Sequence, residues 1–171
     1  MSTRVLLLFL DGVGLGADDP ARNPLVAASV PALDSLTGGP LVATRAGESA
    51  ANATLLALDA TVGVTGLPQS GTGQVALLTG TNAPASFGRH YGPWVPTSLR
   101  ELLGRESVLR RAQEAGCRVA FANAYPEEVL EDYERRGKVI RGSTPLRTAM
   151  PYAALAAGLL DRHTPALLAG V

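Results

Sequence analysis

The hydrophobic positions of this chain fall into two alternating patterns. Val5-Leu6-Leu7-Leu8-Phe9-Leu10 is a continuous apolar run ended by Asp11-Gly12, the signature of a strand buried on both faces in the middle of a parallel sheet. Residues 54–64 are apolar and β-branched and predict a strand or extended segment leading into a turn at Ser70. Cys117-Arg118-Val119-Ala120-Phe121-Ala122 predicts a second sheet strand, with Cys117 a core thiol, and Lys138-Val139-Ile140-Arg141 a short third one.

Helical stretches separate these runs. Residues 31–36 are stopped by Gly38-Gly39, and residues 74–79 by Gly80. Ser98-Leu99-Arg100-Glu101 has capping-box spacing for a helix to Leu103, and residues 107–115 form another closed by Gly116. Residues 126–136 begin with Pro and end before Gly137, and residues 151–162 are Ala-rich. Helices alternating with strands predict a single α/β domain over residues 1–171, with a mostly parallel central sheet flanked by helices.

Composition narrows the function classes. The 171 residues and 46% hydrophobic content suffice for a core. Fifteen basic and fifteen acidic residues cancel, so net charge points to neither nucleic acid nor an anionic membrane as partner. The apolar start is too short to span a bilayer and Asp11 interrupts it. With a single cysteine and no export signal, the expected compartment is the reducing cytoplasm.

The candidate chemistry centres on Gly66-Leu67-Pro68-Gln69-Ser70-Gly71-Thr72-Gly73-Gln74. Pro68 fixes the backbone, the glycines allow tight geometry, and Ser70 falls just before a helix N-terminus. N–H groups and the positive end of the helix dipole favour an anion or an ionised hydroxyl there. Ser70 is the candidate nucleophile, with Thr72 the second hydroxyl. A P-loop needs Lys then Ser or Thr after its last Gly, but Gly71 is followed by Thr72 and Gly73. A serine-hydrolase elbow needs Gly two residues either side of Ser, where this chain has Pro68 and Thr72.

Asp11 lies at the carboxyl end of the opening strand, where ligands collect in open α/β sheets. The following Gly12-Val13-Gly14-Leu15-Gly16 has the wrong spacing for a dinucleotide fingerprint, and Asp18 and Asp19 would repel a pyrophosphate. Residues 81–97, rich in Pro, Gly and aromatics, predict an ordered substrate-side loop. Within it Arg89 and His90, close to Trp94, are candidates for one wall of a substrate pocket. Arg141, Arg147 and His163 are further basic candidates.

With Asp11 after an apolar first strand and Gly66-Leu67-Pro68 before Ser70, the chain resembles the alkaline phosphatase superfamily, in particular its cofactor-independent phosphoglycerate mutase and phosphopentomutase branch. In that family a Ser or Thr nucleophile precedes a helix-closing Gly at the interval that separates Ser70 from Gly80, and a first-strand Asp-Gly ligates a metal. Where the mutases carry His four residues after the nucleophile, this chain has Gln74.

The resemblance implies an alkaline phosphatase-like core and a phosphoryl- or sulfuryl-transfer enzyme that passes through phosphoserine at Ser70. It also implies two divalent ions (Mn²⁺, Zn²⁺ or Mg²⁺), with Asp11 and Ser70 sharing the first, and a small phosphorylated or sulfated substrate. The remaining Asp and His ligands of the family have no counterparts here, so the expectation is the N-terminal portion of a longer metalloenzyme, inactive alone. The alternative is a non-catalytic phosphate-binding module using the helix N-terminus at Ser70.

Overall fold

Local hydrogen bonding dominates the computed structural model, which describes residues 3–123, 125, 127–135 and 145–159. The helices are α1 (Pro24–Ala27), α2 (Pro31–Thr37), α3 (Ser70–Thr79), α4 (Ala83–Phe87), α5 (Arg100–Glu106), α6 (Val108–Glu114), α7 (Glu127–Arg135) and α8 (Ala149–Ala156). Short 3-10 turns stand at Ala43–Arg45, Thr97–Leu99 and Pro145–Arg147. The chain divides into two compact units, Met1–Asp59 and Ala60–Val171.

The first unit is organised by side chains that bond to backbone. Buried Asn23 caps α1 by accepting from Leu25 N–H at 3.1 Å, and its Nδ2 donates to Ala17 O at 2.9 Å. Gly16 and Val42 form an isolated parallel bridge. Arg45 donates to Thr37 O at 2.9 Å, Pro40 O at 3.1 Å and the Glu48 carboxylate at 2.7 Å, tying the end of α2 to the hairpin that follows. That hairpin pairs β1 (Ser49–Ala50) with β2 (Ala53–Thr54) antiparallel.

The second unit packs helix on helix. Val75 and Leu78 of α3 meet Leu99, Leu103 of α5, and Ala149 and Ala153 of α8, with Ala83 and Val95 completing the buried cluster. Small residues on α8 let it approach closely. A smaller cluster joins Tyr125, Leu130 and Leu146.

The predicted α/β architecture is corrected by these observations. Among the described residues the only sheet is the two-stranded β1–β2 hairpin, so a mostly parallel central sheet of the alkaline phosphatase kind is not formed. Residues 5–10 are exposed and residues 117–122 have no regular structure. The physical reason is pairing: an apolar run becomes a strand only against a neighbour that takes its N–H and C=O groups, and among the described residues no neighbouring strand does so for either run. Cys117 is exposed rather than in the core; its N–H donates to Ala112 O at 2.9 Å and closes the end of α6 together with left-handed Gly116.

Several helices follow their predicted limits. α2 ends at left-handed Gly38 and α3 at left-handed Gly80, as expected, but α3 starts at Ser70 rather than at Gln74. Ser107 caps α6 by accepting from Arg110 N–H at 3.4 Å. The capping box at Ser98 is not used, because Thr97–Leu99 forms a 3-10 turn and α5 starts after it without a side-chain cap. Helix α4 stands inside the 81–97 loop, capped by Asn82, whose Oδ1 accepts from Ala85 N–H at 3.1 Å. The predicted strand at 138–141, with Arg141, and the stretch beyond 159, with His163, lie outside the described residues. No helix among the described residues is long and apolar enough to cross a membrane.

Candidate functional site

The start of α3 and the loop after α4 are held together by backbone. Thr72 is fully buried, and its N–H donates to Tyr91 O at 2.9 Å. Its hydroxyl donates to the same oxygen at 3.4 Å and accepts from Tyr91 N–H at 3.1 Å. Such closeness demands glycine: a Cβ on Gly71 would lie 2.2 Å from Trp94 O and 2.6 Å from Tyr91 O, and one on Gly92 would lie 3.2 Å from Ser70 N.

These contacts answer what the helix N-terminus does. One of its first-turn donors is already satisfied by Tyr91 O, and two loop carbonyls press against Gly71. The loop supplies the negative end of a dipole where the sequence suggested an incoming anion. Thr72 is thereby a structural clasp with its hydroxyl doubly engaged. Ser70 begins the helix, half-buried, and takes part in an interaction of its own.

Beside this junction lies an open cleft of about 420 Å³ lined by Thr65, Gln69, Arg89, His90 and Tyr91, with Gly66, Leu67 and Gly92. Arg89 and His90, the two predicted substrate-side residues, are therefore brought to one site. Arg89 is exposed, its guanidinium 5.8 Å from the Phe87 ring centroid, and no carboxylate among the described residues pairs with it. Phe87 and Tyr91 meet edge to face at 5.2 Å and brace the turn between them.

His90 is oriented from the other side. Its Nε2 lies 3.0 Å from Val64 O, and a carbonyl only accepts, so Nε2 carries the hydrogen and a neutral ring presents Nδ1 as its acceptor. That Nδ1 is buried without a partner. Left-handed Gly66, whose Cβ position would lie 3.5 Å from the ring, lets the 62–67 turn pass over it. Asn82 Nδ2 donates to Val62 O at 2.8 Å and anchors that turn.

Trp94 is not among the residues lining the cleft; its ring is covered by the Arg147 guanidinium at 5.1 Å, and Val95 N–H donates to Arg147 O at 3.1 Å. Asp11 is exposed, belongs to the first unit and makes an interaction of its own, while Ser70 belongs to the second. Gln69, Thr65 and Tyr91 join the site without having been assigned a role in sequence. Local pattern has no signal for contacts that close over the whole span from Thr65 to Tyr91.

The expected metalloenzyme is corrected here. Among the described residues no group of three or more His, Cys, Asp or Glu side chains gathers where it could hold a metal ion. Among the described residues no sheet of the alkaline phosphatase kind presents Asp11 and Ser70 at its strand ends. The two-ion phosphoryl or sulfuryl transfer that the resemblance implied rests on a cluster of hard ligands, and the described residues bring none together.

The chain matches no known family model, no curated protein and no solved structure.

Proposed function

We propose that the Arg89–His90 cleft is a binding site for a small ligand bearing an oxyanion, a phosphate or sulfate ester, held without covalent chemistry. The observation that supports it is the lining itself: an unpaired guanidinium, an oriented imidazole and the polar side chains of Gln69, Thr65 and Tyr91, with no acidic residue among them. Guanidinium offers a planar fork of donors matched to two oxyanion oxygens. The Gln69 amide and Thr65 hydroxyl supply further donors. The volume is in the range of small-molecule sites. A balanced net charge and a single exposed cysteine fit a cytoplasmic small-molecule binder rather than a nucleic-acid or membrane partner.

Calorimetric titration of the full chain with inorganic phosphate and with sulfate tests the reading. Arg89→Gln is expected to weaken binding by about 10- to 100-fold, the effect of losing a charge-assisted hydrogen-bond pair. Phosphate affinity unchanged in Arg89→Gln, or no binding by the parent chain at millimolar concentration, would overturn it. Running the titration once with Mn²⁺ and once with EDTA tests the divalent-ion expectation in the same experiment; this reading expects equal affinity in both.

A further inference from the structure

The apolar run that opens the chain stands in solvent. Val5 is 89% exposed, Leu6 88% and Leu8 72%, and among the described residues the backbone groups of residues 5–10 make no hydrogen bond. Such a segment offers unpaired N–H and C=O groups and apolar side chains with nothing to bury against, and becomes a strand edge when it pairs. Between Arg4 and Asp11 it has no Pro, no Gly and no charge, the composition that pairs strand to strand.

The flanking charges say with what. When two copies lie antiparallel about their centre, Leu7 faces Leu8, Leu6 faces Phe9, Val5 faces Leu10, and Arg4 of each copy faces Asp11 of the other. The segment is thus complementary to itself, as a two-fold contact requires. Parallel pairing in register would set Arg4 against Arg4 and Asp11 against Asp11, which like-charge repulsion disfavours.

We propose that residues 4–11 are a self-association strand, taking a second copy of this chain in antiparallel register. One two-stranded pair is marginal by itself, so the association is reversible and rises with protein concentration. It joins copies rather than defining an obligate dimer.

Sedimentation velocity on the full chain over a range of concentrations tests this. The weight-average mass is expected to rise with concentration, and Leu8→Lys to keep the chain monomeric with its helical circular dichroism unchanged. Arg4→Asp and Asp11→Arg are each expected to weaken association by about tenfold, because opposed pairs become like charges, and the double exchange to restore it. A chain monomeric throughout the range, association undiminished in Leu8→Lys, or single charge variants that associate like the parent would each overturn the proposal.

Discussion

Thr72 and Tyr91 are joined by three hydrogen bonds, at 2.9, 3.1 and 3.4 Å, between the first turn of α3 and the loop that carries Arg89 and His90. The threonine hydroxyl acts as donor and acceptor at once, adding a side-chain link to the backbone bond. The clasp fixes Tyr91, which lines the cleft beside Arg89 and His90.

Thr72→Val keeps the volume and removes the hydroxyl, leaving Tyr91 N–H without its acceptor. Stability is expected to fall by about 1–3 kcal/mol, the cost of an orphaned donor away from water. Urea denaturation followed by circular dichroism measures it. A change below about 0.5 kcal/mol, the scale of a neutral surface substitution, would show that the clasp does not hold the loop.

Two glycines in the same helix separate close approach from helix propensity. Gly71→Ala drives a Cβ to 2.2 Å from Trp94 O and is expected to destabilise by about 1–3 kcal/mol or more. Gly73→Ala meets nothing within 4 Å and is expected to stabilise α3 by about 0.5–1 kcal/mol. Thermal melts of both variants check the opposite signs; equal shifts would contradict the packed junction.

Tyr125 sets an alkaline limit. Burial pushes its phenol above the usual value, and the Asn123 hydrogen bond draws it partly back. The unfolded chain therefore loses this proton near pH 10 while the folded chain still holds it. The associated stability is fully present below pH 10 and is lost as pH rises through the folded pKa. Tyr125→Phe is expected to flatten the fall in melting temperature between pH 9 and 11, roughly the window that a tyrosine near pH 10 governs. A fall as steep in Tyr125→Phe as in the parent would contradict it.

Helix punctuation was legible in the sequence and sheet pairing was not. Gly38, Gly80 and Gly116 end helices where they were expected to, because a left-handed residue stops a helix by local sterics alone. Helix α4, capped by Asn82, was not expected, because the surrounding prolines and glycines predicted a loop. Val5 to Leu10 shows the limit: an apolar run states that burial is favourable but not what supplies the partner. Arg89 and His90 were legible as candidates for one wall of a pocket. Their meeting with Gln69 and Thr65 was not, since it follows from Thr72 reaching Tyr91 across the fold. Ser70 invited a nucleophile reading because a helix start looks the same in sequence whether an anion or the chain's own carbonyls cap it.

The most direct measurement is a phosphate titration of the ¹⁵N-labelled chain followed by amide chemical shifts. The account expects saturable shifts at Gly66, Gln69 and residues 89–92, absent in Arg89→Gln, with Asp11 and its neighbours unmoved. Shifts centred on Asp11, or shifts at the cleft that persist in Arg89→Gln, would contradict it.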